Sequence, residues 1–194
     1  MICIVLDSSV LINLLFIAGK FRNFIEKFKK LLKIEDSEIF LPKIIADKEI
    51  TNKAQRDLLQ NLLKDRTIKL IEVNEDEIEN AKRIYSFRLG SGEIAMSISV
   101  KNFLKVGKSS IGFTNEKLVV KKMGKEIPML HGLWFYTRMF FREILNKTEL
   151  NELISLANED MKIEAKELEN IKIEYLNKKA SLKEIINLFV IDNL

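Results

Sequence analysis

Four acidic residues stand where a chain that alternates strands and helices presents its reactive groups. Asp7 closes the apolar run from Met1 to Leu6, and Glu116 follows the segment from Ser109 to Phe113, read as a second buried strand. Glu49 falls near the end of a helix expected after Pro42, and Glu93 lies in the first turn of a helix introduced by Gly90-Ser91-Gly92. If segments 1–6 and 109–113 are neighbouring parallel strands, Asp7 and Glu116 share one sheet edge, and Glu93 can point at the same spot. Converging carboxylates repel unless something neutralises them. Mg²⁺ or Mn²⁺ would do so, being hard cations that favour oxygen ligands and retain water. Such an ion activates water and stabilises charge on a scissile phosphate. Ser9 and Thr114 are placed to orient these acids or a metal-bound water, although a hydroxyl at a helix start is equally a cap. Each acid also has a plainer role. Asp7 could cap a helix, Glu93 could answer the helix dipole, Glu49 could be a solvated helix acid, and Asn115 could face inward in place of Glu116.

Composition removes most competing chemistries. The single Cys3 excludes an internal disulfide framework and a cysteine-based zinc site, and the single His131 excludes a histidine-rich metal site. Cys3 reads as a small buried hydrophobe. His131, placed before Gly132, reads as a turn or core residue before it reads as a proton donor. The 194 residues are 47% apolar and 31% charged, with 7 Gly and 2 Pro, which fits a soluble core and not disorder or a fibrous repeat. No apolar run approaches 18 residues, and the first residues lack the basic region of an export signal, so a cytoplasmic protein without membrane contact is expected.

The net charge of +4 is uneven. Residues 1–146 hold 25 Lys+Arg against 18 Asp+Glu, or +7, while residues 147–194 hold 7 against 10, or −3. A basic body is compatible with a polyanion. One basic cluster is Arg22, Lys27, Lys29 and Lys30, flanked by Lys20 and Lys33; a second is Lys117, Lys121, Lys122 and Lys125, close to Glu116. No Walker or Rossmann glycine loop is present, since Gly90-x-Gly92 lacks the remaining glycine.

The elements that must position the acids follow from the apolar pattern. Residues 1–6 and 109–113 read as buried strands, with shorter ones at 39–41, 68–73 and 127–130. Helices are expected over 10–18, stopped by Gly19, over 21–32, from Pro42 through Ile50, over 52–64, after an Asn74 cap, over 93–104 and over 117–123. This alternation predicts a three-layer α/β/α sandwich with a mainly parallel sheet over residues 1–146. Residues 132–145 form an aromatic segment with Trp134, Phe135, Tyr136, Phe140 and Phe141, read as core or dimer interface before base-stacking surface. Residues 147–194 read as a helical C-terminal extension, packed on the core or used for dimerisation, with helices at 150–156, 161–176 and 182–189.

These segments resemble the PIN domain family, including the nuclease toxins of toxin–antitoxin pairs. The stretch Ile4-Val5-Leu6-Asp7-Ser8-Ser9-Val10-Leu11 resembles the family's first strand and its Asp-x-Ser/Thr signature. Gly90-Ser91-Gly92-Glu93-Ile94-Ala95 resembles the branch in which Gly-x-Gly-Glu supplies the third acid, and Glu49 matches the acid on the helix after the second strand segment. Ile111-Gly112-Phe113-Thr114-Asn115-Glu116-Lys117 resembles the family's strand followed by Thr-Asn-Asp-Lys, with Glu116 one methylene longer than the usual Asp. The resemblance spans about residues 1–130. It implies a metal-dependent endoribonuclease in which Asp7, Glu93 and Glu116 hold Mg²⁺ or Mn²⁺ and Glu49 completes the cluster, with Ser9, Thr114, Asn115 and Lys117 supporting the acids or substrate. It further implies RNA as substrate, a homodimer and a protein antitoxin as partner. A catalytically weak RNA-binding or assembly module on the same fold is the alternative.

Overall fold

The computed structural model describes residues 1–84 and 89–161. The chain order is β1 (Ile2–Leu6), α1 (Ser8–Lys20), α2 (Phe24–Ile34), β2 (Ser37–Pro42), α3 (Lys43–Lys48), α4 (Lys53–Lys64) and β3 (Ile68–Ile71). There follow α5 (Glu75–Ile84), α6 (Ser91–Lys105), β4 (Ser109–Thr114), α7 (Lys117–Met123), β5 (Met129–His131), α8 (Gly132–Phe141) and α9 (Lys147–Met161). The five strands form one sheet of order β3-β2-β1-β4-β5, and all four ladders are parallel.

Alternation along β1 explains the layers. Successive strand side chains point to opposite faces. Ile2, Ile4 and Leu6 enter one core with Leu11 and Leu14 of α1, Phe28 and Leu31 of α2, and Leu59 and Leu62 of α4. Val5 enters a second core with Met96 and Val100 of α6 and Val119 and Met123 of α7. Helices therefore cover both faces, the arrangement a fully parallel sheet requires. The result is a mixed α/β fold of generic α/β/α form.

Most expected elements are present with shifted ends. Gly19 does not stop α1, which runs on to Lys20; its backbone stays helical and Leu58 of α4 packs against it. Phe21 instead lies outside the helix, and α2 begins three residues later, at Phe24. Contrary to the expected stop at residue 113, the strand ending in Thr114 carries the ladder one residue further, and β5 starts at Met129. The aromatic segment is the helix α8, with Phe135 and Tyr136 fully buried in the main core and Trp134 and Phe140 packed against it.

The described part of the 147–194 segment is α9. Its Leu153 and Ala157 join the main core, and Lys20 of α1 pairs with Glu152. The helices expected at 161–176 and 182–189 lie outside the described residues, apart from Met161 itself. Among the described residues no helix is long and apolar enough to cross a membrane.

Candidate active site

The strand order reverses direction at β1. From there the chain builds outward to β2 and β3, then returns to the other side of β1 with β4 and β5. In open parallel sheets, the crevice beyond the carboxyl ends at such a switch point is where ligands bind. Here that crevice lies between β1 and β4. Leu6 pairs with Phe113, and the Asp7 amide extends the ladder by donating to the Phe113 carbonyl at 3.0 Å. Asp7 and Thr114 are thus neighbours across the two strand ends by register alone.

Asp7 is 1% exposed. The Ser9 hydroxyl donates to its Oδ2 at 2.8 Å and the Thr114 hydroxyl to the same oxygen at 3.0 Å. Oδ1 is buried and has no hydrogen-bond partner. Burial pushes the Asp7 carboxyl above its ordinary range, opposed by the two hydroxyls and by the Ser8 and Ser9 amides. A buried carboxylate oxygen left without a partner is costly, and Asn115 Oδ1 is likewise buried without one.

Glu49 is the residue that ends α3, and its carboxylate rests against the Cα of Gly92 at the start of α6. Burial raises its pKa first of all. The Ser8 hydroxyl and the Gly92 amide oppose the rise by hydrogen bonding, and the charge of Asp7 adds to it. Glu93 is the third residue of α6, with its carboxylate turned back toward Gly90, the helix cap. Its pKa is pushed up to about 7, chiefly by burial and next by Asp7, with its own amide opposing and Glu49 and Glu116 adding. Glu93 therefore feels the charges of Asp7, Glu49 and Glu116, and Glu49 feels that of Asp7. Glu116 is the exposed member. It caps α7, and its amide donates to the Thr114 hydroxyl at 3.0 Å.

The support residues divide. Thr114 and Ser9 orient Asp7 directly. Asn115 is fully buried and faces away from the acids: its amide donates to the Ser9 hydroxyl at 3.0 Å, and its side chain donates to the Ser9 carbonyl at 3.2 Å and the Tyr136 hydroxyl at 3.5 Å. Asn13 of α1 donates to the same Tyr136 oxygen at 3.4 Å. His131 is 8% exposed and tied into the fold. Its Nδ1 accepts from the Leu133 amide at 3.1 Å, so Nε2 carries the proton donated to the Asn115 carbonyl at 3.0 Å. Lys117 is exposed at the start of α7.

Three residues quoted in the sequence only as parts of motifs or of the aromatic segment turn out to touch the site: Ser8, Gly92 and Tyr136. Ser8 had a legible signal. Adjacent residues on a helix point about 100° apart, so two serines opening α1 serve two different acids, Glu49 and Asp7. Gly92 was legible as part of the Gly-x-Gly-Glu motif, but its contact with Glu49, like that of Tyr136 with Asn115, joins distant segments.

In donor type the cluster suits a hard divalent cation, and the unpartnered Asp7 Oδ1 fits the same need. As the side chains lie, no three His, Cys, Asp or Glu among the described residues are arranged to hold one metal ion. Glu93 is turned toward its own helix cap. Comparisons with protein-family models, curated proteins and solved structures found no match to this chain.

Proposed function

We propose that the protein is a metal-dependent ribonuclease that hydrolyses RNA phosphodiesters at the β1–β4 switch point. The observation that carries this reading is the mutual crowding of Asp7, Glu49, Glu93 and Glu116 there, with Asp7 buried and one of its oxygens unpartnered. Asp7, Glu93 and Glu116 would hold Mg²⁺ or Mn²⁺. When bound, such an ion would lower the pKa of the attacking water and offset charge on the phosphate. Ser9 and Thr114 fix the Asp7 carboxylate from one side, leaving Oδ1 as its free ligand atom. Glu49, held by Ser8 and the Gly92 amide, completes the cluster or orders the water. Neither Cys3, buried inside β1, nor His131, committed at both nitrogens, is needed. In-line attack by water leaves a 5′-phosphate and a 3′-hydroxyl. The resemblance to PIN domains over residues 1–130 favours RNA over other phosphodiesters.

Cleavage of a labelled mixed-sequence RNA, with Mn²⁺, with Mg²⁺ and with EDTA, tests the reading beside an Asp7→Asn control. Metal-dependent 5′-phosphorylated products from the wild type, reduced at least 100-fold in the control, are expected. Equal background from both proteins in every buffer would overturn nuclease activity on that RNA. The present turn of Glu93 toward its own cap and the extra methylene of Glu116 would then favour a non-catalytic RNA-binding module.

A further inference from the structure

One of two strongly basic stretches of the body runs along two helices that both begin at the acid cluster; the other, residues 20–33, has six Lys+Arg against Glu26. Between residues 97 and 128 the chain has seven lysines against two acids, Glu116 and Glu126, a net +5 within the +7 of residues 1–146. Lys101, Lys105 and Lys108 recur at i, i+4 and i+7 along and just beyond α6. Lys117, Lys121 and Lys125 recur at i, i+4 and i+8 along and just beyond α7. Each set therefore makes a stripe. The stripes adjoin: the Ser97 hydroxyl reaches the Met123 sulfur at 3.1 Å, and Lys101 pairs with Glu126 at 3.0 Å. Lys105, Lys108, Lys121 and Lys125 are exposed.

The other basic cluster lies on residues 20–33, where Lys29 is paired with Glu26 and Asp65, and Lys20 with Glu152. It also lies on the far side of the sheet, where α2 packs on the main core, whereas α6 and α7 pack on the Val5 side. Glu93 stands in the first turn of α6 and Glu116 caps α7. Both helices then run about 10–22 Å away from the carboxyl edge, at about 1.5 Å per residue.

We propose that the α6–α7 lysine face is a track for the sugar–phosphate backbone of a single-stranded RNA, leading it into the carboxylate cluster. The proposal rests on reading that cluster as acting on a phosphodiester, and it names the surface that presents the strand. Its chemistry is phosphate pairing without base readout, so it confers affinity and entry direction and little sequence preference. The opposite sign of charge at the acid cluster confines the strand's phosphates to the lysines until a cation is present.

Binding in EDTA separates the track from catalysis. Fluorescence anisotropy of a labelled 20-nucleotide single-stranded RNA would be followed with salt for the wild type, for Lys121→Glu/Lys125→Glu, and for Lys27→Glu/Lys30→Glu on α2. The α7 pair should weaken binding at least tenfold and lower the salt slope by about 1 to 2, while the α2 pair should stay within twofold. Lys121→Arg/Lys125→Arg should bind as the wild type does, and Lys121→Gln/Lys125→Gln should lose less than the glutamates. Equal loss from both helices, or no loss from the α7 pair, would overturn the track even if the wild type cleaves RNA with Mn²⁺. Stronger binding to phosphatidylserine vesicles than to RNA, abolished by the α7 pair, would also overturn it. An intact track in a protein that never cleaves would leave this inference standing and remove only the nuclease.

Discussion

At Glu93 the demands of the site and of the fold pull in opposite directions. Folded, it keeps its proton up to about pH 7, against an ordinary value of 4.5. Between those values the folded state binds more protons than the unfolded one. The stability contributed by this group is therefore fully present below about pH 4.5 and is lost as pH rises through 7. Asp7 and Glu49 are raised as well and act with the same sign. Glu93→Gln keeps the shape and never ionises. In EDTA the variant should match the wild type near pH 4.5 and exceed it by about 1–3 kcal/mol at pH 8 in urea unfolding. Mn²⁺ should raise the wild-type Tm at pH 8 and leave the variant nearly unmoved. Identical urea curves at pH 8 would mean that the acids do not crowd one another. A residue that stabilises the protein when neutralised and disables it at once is what a functional carboxylate implies.

Elements set which of these contacts local sequence could announce. The first strand, Ile2–Leu6, is a contiguous apolar run, and Ser109–Thr114 is a short buried strand beside it, because parallel strands are covered on both faces. That pattern placed Asp7 and Glu116 at strand ends before any coordinates. The approach of one element to another is different, because it depends on residues far apart in the chain. Gly92 and Gly132 illustrate this, each lying where a methyl group would meet another segment. At Gly92 the methyl would meet the Glu49 carboxylate, the movable end of a side chain. Gly92→Ala should therefore leave unfolding within about 1 kcal/mol of wild type, helped by alanine's helix preference, while lowering RNA cleavage at least tenfold by displacing Glu49. At Gly132 the methyl would meet the Asn115 Oδ1, with Val10 at 2.9 Å and the Tyr136 hydroxyl at 3.3 Å. All three neighbours are buried, so Gly132→Ala should cost about 1–3 kcal/mol. Chemical unfolding and cleavage measured on both variants check the contrast; equal destabilisation would refute it. Which way Asn115 turns was left open by the sequence for the same reason, since His131 at the end of β5 and Tyr136 of α8, which hold it, come from later segments.

On the scale of the whole molecule, the question is whether residues after 146 are an appendage or part of the body. Their composition, acidic where the body is basic, reads as a separate extension. The described part of that extension is packed on the core. Leu153 and Ala157 of α9 are completely buried in the main core, beside α1 and α8. The preceding helix is itself anchored, through Arg138 and Arg142, which both pair with Glu35 at the end of α2. One cooperative unit would thus include β1, α1, α8 and α9. Leu153→Ala removes a fully buried side chain from a site walled by helices, and such truncations cost about 2–5 kcal/mol. The loss should appear in a single transition. Fluorescence of Trp134, which packs against the main core from α8, should fall together with far-UV circular dichroism in both wild type and variant. If α9 were an appendage, the variant would keep the wild-type fluorescence midpoint, and any change would be confined to a separate, earlier loss of helical signal. Coincident transitions shifted together would make α9 part of the scaffold that holds α1, and through α1 the two serines that orient Glu49 and Asp7.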